Sequence, residues 1–260
     1  MKNVILLLTF SSLLLITSCG KEEAIPIDTA EVNLSFRANY AGETLILNTE
    51  NYDYLGSPIR FSRINFYISN LAIVNDDGET DLSEIQFIDL TKSHNTQADS
   101  EIGTTMSFSN VPVGSYNQLR FGVGVPVDLN KTNPSDYSTM HPLGADNSGE
   151  YWEAWDSYIF AKIEGQYDVD GDGDYGGSND ISFAYHTGGD FPGLYPIIEL
   201  DNSLILRAGE TTDLIFELDV ALLFKQRLGD PFPLSAHDPA RQIPEMLVIM
   251  GNFQRALELK

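Results

Sequence analysis

Apolar and polar positions alternate with period two along most of the chain. Val32, Leu34, Phe36 and Ala38 fall on one side of an extended segment, and Asn33, Ser35, Arg37 and Asn39 on the other. That alternation marks a half-buried strand. Residues 59–74 read as one long strand or a pair, ended by the turn Asn75-Asp76-Asp77-Gly78. Residues 85–90 form another strand. Residues 108–125 read as a hairpin, in which Val111-Pro112-Val113-Gly114 turns the chain before Tyr116, Leu119, Phe121 and Val123 resume the apolar spacing. Residues 159–166, 181–186, 197–206 and 214–220 complete the set. Short strands separated by Gly, Pro and Asn predict an all-β fold, an antiparallel β-sandwich. Residues 221–227 and 244–257 predict one or two short helices near the C-terminus. With no internal repeat and no interior linker, residues 30–260 read as one domain.

The first residues break the pattern. Lys2 supplies a positive start, and residues 4–16 are an almost unbroken apolar run, too short to span a membrane as a helix. Ile16-Thr17-Ser18-Cys19 then matches the lipobox of bacterial lipoproteins: an aliphatic residue, two small ones and the cysteine that is acylated. Residues 1–18 are therefore expected to be a lipoprotein signal peptide and residues 19–29 a tether acylated at Cys19, where several acyl chains anchor stably. Lys21-Glu22-Glu23 resembles the short export signal of surface lipoproteins, so the expected location is the outer membrane, with the outer face favoured over a periplasm-facing position. Cys19 is the only cysteine, which leaves no disulfide and no thiolate metal ligand.

Composition adds what the chain binds and what it avoids. Lys and Arg total 15 against 38 Asp and Glu, a net charge of −23. Nucleic acid and anionic membrane surfaces would be repelled; cations would be attracted. The carboxylates crowd most densely at Asp168-Val169-Asp170-Gly171-Asp172-Gly173-Asp174. Alternate carboxylates suit a hard cation such as calcium, and counting Asp168 as position 1 of an EF-hand-like loop places Asp170, Asp172 and Asp174 at positions 3, 5 and 7 with Gly173 at 6. The pattern then departs, because position 12 is Asn179 and only Asp180, one residue later, offers a substitute. Calcium pinning a hairpin is the expectation here; a solvated acidic turn is the alternative.

A second segment concentrates aromatics and histidines: His141-Pro142-Leu143, then Tyr151-Trp152-Glu153-Ala154-Trp155-Asp156-Ser157-Tyr158 and Phe160-Ala161-Lys162-Ile163-Glu164-Gly165, with Phe183-Ala184-Tyr185-His186-Thr187-Gly188-Gly189 beyond the aspartate loop. A tryptophan pair near a strand start is more often core than site, and a lone histidine more often hydrogen-bonded than a ligand. His186 stands apart because Ile181, Phe183 and Tyr185 take the apolar face and leave it with Ser182 and Ala184.

In order along the chain, these elements resemble the MbnP-like family of copper-binding proteins. Phe66-Tyr67-Ile68-Ser69-Asn70-Leu71 is similar to the family's early strand. Val111-Pro112-Val113-Gly114-Ser115-Tyr116 with Leu119-Arg120-Phe121-Gly122-Val123-Gly124-Val125-Pro126 is similar to its Pro-Ala-Gly-Thr-Tyr segment. Pro142-Leu143, Trp152, Trp155, Tyr158 and Phe160 fit its tryptophan block, and His186 with Gly188 fits its His-x-Gly element. The resemblance implies copper held by two histidines beside a tryptophan oxidised to kynurenine, with a dihaem partner carrying out that oxidation. By position it implies His186 as ligand and Trp152 as the oxidised residue, with Trp155 as the alternative. His141, close to the motif, is taken as the second ligand; His94 and His237 lack motif support. The wider tryptophan spacing, the absent disulfide cysteines and the inserted aspartate loop depart from the family pattern.

The expected function is metal binding, most of all copper, without catalysis. The rival is a surface adhesin or glycan-binding module in which Tyr151, Trp152 and Trp155 stack on sugars and calcium stiffens the site. Acidic pairs such as Glu150 and Glu153 would suit a hydrolase, but such pairs arise by chance in so acidic a chain, and no Ser-His-Asp or zinc spacing appears.

Overall fold

A computed structural model describes residues 28–49, 51–227, 229–238 and 241–260. The expected signal peptide and Cys19 lie outside the described residues. Two sheets face each other. The first is built on β1 (Thr29–Tyr40), which pairs with β2 (Glu43–Thr44), with β6 (Thr104–Pro112) and with β12 (Thr211–Asp219); β12 continues to β13 (Leu257–Leu259). The second runs β10 (Ile181–Gly188), β9 (Ser157–Tyr167), β4 (Ser57–Asn75), β7 (Gly114–Val123), β11 (Ile197–Leu206). Onto it β3 (Tyr52–Tyr54) and β5 (Gly78–Asp89) add beside β4, and β8 (Tyr151–Trp152) beside β9. Short helices α1 (Leu90–Ser93), α2 (Gln97–Ile102), α3 (Val127–Asn130) and α4 (Val220–Leu223) join strands, and α5 (Ile243–Ala256) is the one long helix among the described residues.

The sandwich predicted from alternation is present, and its strands pair antiparallel except that β1 and β12 run parallel. In β1 every second residue from Ala30 to Tyr40 is buried, as the sequence pattern requires. Phe36 stacks on Phe216 at 4.6 Å and meets Phe66 of the opposite sheet edge-on at 6.1 Å. Phe121 meets Phe216 edge-on at 5.7 Å. Burying such rings contributes roughly 1.5–3 kcal/mol each. In α5, Met246, Ile249, Met250, Phe253 and Ala256 are buried at helical spacing behind Pro244 in the first turn, and Phe253 reaches Phe66 at 5.3 Å.

One predicted element is corrected. Residues 108–125 are not a hairpin: β6 pairs with β1 in the first sheet, whereas β7 pairs with β4 and β11 in the second. The Val111–Gly114 turn carries the chain from one layer to the other, and Tyr116 braces it by donating its hydroxyl to the Pro112 carbonyl at 2.9 Å. Turn residues announce that a strand ends but not which sheet the chain re-enters.

Candidate metal centre

The outer face of the second sheet carries a polar layer. His186 of β10 lies directly opposite Lys162 of β9, and Ala184 opposite Glu164; on the other side of β9, Glu164 pairs with Arg63 and Lys162 with Asn65 of β4. Opposite residues in a ladder share a face, so Asn65, Arg63, Lys162, Glu164 and His186 stand together. Gly188 allows β10 to close on β9 beyond them, since a Cβ there would sit 2.5 Å from the Tyr158 carbonyl oxygen.

Two chain segments cover this layer. The first is a hairpin in which Trp152 pairs with Ser157 and Tyr151 with Tyr158, so that Trp152 and Trp155 pack ring on ring at 4.3 Å. It is held down by Glu150, whose carboxylate lies 3.1 Å from Lys162 Nζ with the two side chains only 9% and 6% exposed. Lys162 also donates to the Gly149 carbonyl, and the Asn65 amide to Glu150. The second is the stretch between α4 and α5, which lies along β10. Buried Phe232 and Leu234 root it, the Ser235 N–H donates to the Tyr185 hydroxyl, and buried Gln242 donates to Ser235 and Ala236 while accepting from the Asp238 N–H.

That second segment delivers His237 to His186. Their rings lie 4.7 Å apart, and the His237 ring is 6.4 Å from Trp152. His237 Nδ1 is 2.8 Å from the Ala184 carbonyl oxygen, and His186 Nε2 is 2.7 Å from Glu164 Oε1. The Glu164 carboxyl is held below its usual range, chiefly by that hydrogen bond, with Arg63 at 3.7 Å adding to the effect against the cost of burial.

The structure thus brings together His186, Trp152, Trp155 and His237, whereas His141 has other work. Its ring stacks on Tyr137 at 4.3 Å, nearly parallel, and its Nδ1 accepts the Leu143 N–H; it shapes the turn before the hairpin. His237 replaces it as the neighbour of His186. His237 sits in an irregular Pro-Phe-Pro-Leu-Ser-Ala stretch with no periodicity to place it; the buried Phe232 and Leu234, two apart, were the only signal.

His94 is buried, and its Nε2 accepts the Ala38 N–H at 3.0 Å. Burial pushes its pKa down to about 4 from 6.5. Below about pH 6.5 the unfolded chain binds a proton there that the folded chain refuses. Stability is therefore full above that pH and falls as pH drops toward 4, by up to roughly 3 kcal/mol. Urea unfolding at pH 7.5 and 4.5 should show this loss in wild type and a smaller one in His94→Asn; equal losses would contradict it.

The aspartate loop closes the β9–β10 hairpin, as expected, but its carboxylates divide. Asp168 is fully buried and accepts the N–H groups of Gly171, Asp172 and Gly173. Asp172 and Asp174 accept N–H groups of Asp174 and Gly176. Oxygens of Asp168, Asp170 and Asp180 lie within 4.8 Å of one another.

The profile of the MbnP family matches residues 29–236. Among solved structures, MbnP from Methylosinus trichosporium is similar, with 18% identity and a TM-score of 0.48 over 75% of this chain and 78% of that one. No curated protein matches the chain in sequence.

Proposed function

The chain belongs to the MbnP family, and on that premise we propose that it is a lipid-anchored envelope protein that binds copper through His186 and His237 beside Trp152. The observation that carries this is the pair of imidazoles 4.7 Å apart, each with one nitrogen on an acceptor and the other in no hydrogen bond among the described residues. Metal-binding histidines are held in this way, by a carboxylate or a backbone carbonyl on the far nitrogen. Two imidazoles suit copper. An indole N–H only donates, so Trp152 adds a third nitrogen donor only after oxidation to an aromatic amine. Binding rather than catalysis is the role proposed. Trp152 and Trp155 spend a face of each ring on the other, which weakens the glycan-binding alternative. Protein purified from its native envelope should carry stoichiometric copper and the kynurenine mass change at Trp152. Native protein free of copper and with intact tryptophan would overturn the reading.

Anchoring rests on Cys19. Cys19→Ala should move the folded protein from the detergent phase to the aqueous phase, because no other cysteine is available for acylation. Retention of the variant in the detergent phase would refute the lipoprotein assignment.

A structural calcium is proposed for Asp168, Asp170 and Asp180, whose clustered oxygens match the hard-donor set of that ion. Calcium at a hundred times its dissociation constant should stabilise the fold by about 2.7 kcal/mol. The melting temperature should rise on calcium readdition after chelation, and not in Asp170→Asn/Asp180→Asn. An unchanged wild-type melting curve would leave the acidic turn solvated and ion-free.

A further inference from the structure

His186 has two nitrogens, and which one meets a metal depends on where its proton sits. Glu164 Oε1 lies 2.7 Å from Nε2, and at that distance the carboxylate oxygen is the acceptor and the ring nitrogen the donor. Nε2 therefore carries the proton, and in the neutral ring the lone pair is left on Nδ1. The same logic runs the other way at His237, where a backbone carbonyl takes the Nδ1 proton at 2.8 Å and leaves the lone pair on Nε2. Glu164 is itself held in place, by Arg63 at 3.7 Å and by a ladder position opposite Ala184. It sits on the strand beside His186, so its grip on the ring survives whatever the hairpin above does.

We propose that Glu164 is a positioning residue that selects Nδ1 of His186 as the metal donor, so that the centre pairs Nδ1 of His186 with Nε2 of His237. This rests on the copper reading above and deepens it. It makes an outer-shell carboxylate responsible for a property of the ring that shape alone would not set.

The test uses the full chain with labelled histidines. In metal-free protein, above the His186 titration followed in the same spectra, long-range proton–nitrogen correlation should show the Nε2–H tautomer. Silver(I), a diamagnetic stand-in for copper(I), should then show one-bond coupling to Nδ1 of His186 and Nε2 of His237. Glu164→Gln keeps the size of the side chain, but its amide can accept from Nε2 or donate to it. Both His186 tautomers should appear, with an intermediate loss of silver(I) and copper(I) affinity. Glu164→Leu should relax the tautomer fully and weaken binding by about 10- to 100-fold, the usual cost of losing an outer-shell partner. Silver coupling to Nε2 of His186 would overturn the proposal. So would an unchanged tautomer and affinity in Glu164→Gln, which would leave Glu164 a structural residue only. No silver or copper uptake by wild type would instead sink the copper reading and this inference with it, whereas uptake through the wrong nitrogen sinks the inference alone.

Discussion

Copper uptake should fall by at least about a hundredfold in His186→Ala and in His237→Ala, because removing a ligand exceeds the 10- to 100-fold cost of removing its outer-shell support. His141→Ala should stay within a few-fold of wild type, since that ring is stacked on Tyr137 and its Nδ1 serves the Leu143 N–H. His94→Ala should also retain copper binding while losing stability, because its Nε2 serves the Ala38 N–H in the core. Competition titration of refolded, monodisperse variants reads all four. Protein lacking the oxidised Trp152 should bind more weakly throughout, with the same ranking. A ranking in which His141 matters and His237 does not would return the second ligand to the motif-proximal histidine.

The largest stability effect should come from the polar layer under the hairpin. Glu150 and Lys162 are almost fully enclosed, 3.1 Å apart. Removing one partner strands the other charge without water, which typically costs 3–5 kcal/mol. Glu150→Ala should therefore destabilise by about that much in urea unfolding. Glu150→Met/Lys162→Met should recover most of the loss, because a desolvated ion pair yields little net stability over well-packed apolar groups. Glu150 also pins the hairpin that carries Trp152 and Trp155, so the single variant should show altered tryptophan fluorescence before it unfolds. A loss under about 1 kcal/mol would mean that water reaches the Lys162 ammonium.

The strands were legible because burial on one face imposes period two, which β1 and β11 follow along their length and β10 as far as Thr187, whereas β9 is buried on both faces from Ser157 to Ile163. β4, buried on both faces along its middle, still showed as a long apolar run. The parallel pairing of β1 with β12 joins segments about 180 residues apart and leaves no local trace. His186 was legible for the same reason as its strand: alternation put it on the face opposite Phe183 and Tyr185. His237 was not, because its position depends on Gln242, on the Ala184 carbonyl and on an irregular stretch along a sheet edge. Glu164 and Lys162 looked like ordinary alternating charges; only the register between β4, β9 and β10 turns them into a layer. The aspartate loop showed its charge but not its division of labour, since the demands of its own backbone N–H groups on Asp168, Asp172 and Asp174 appear only once the loop is folded.

Diffraction at the copper absorption edge, from crystals of copper-loaded protein, would locate the metal. An anomalous peak is expected between the rings of His186 and His237, beside Trp152. A peak at His141, or one held by the aspartate loop with none between those two rings, would contradict copper binding by that pair.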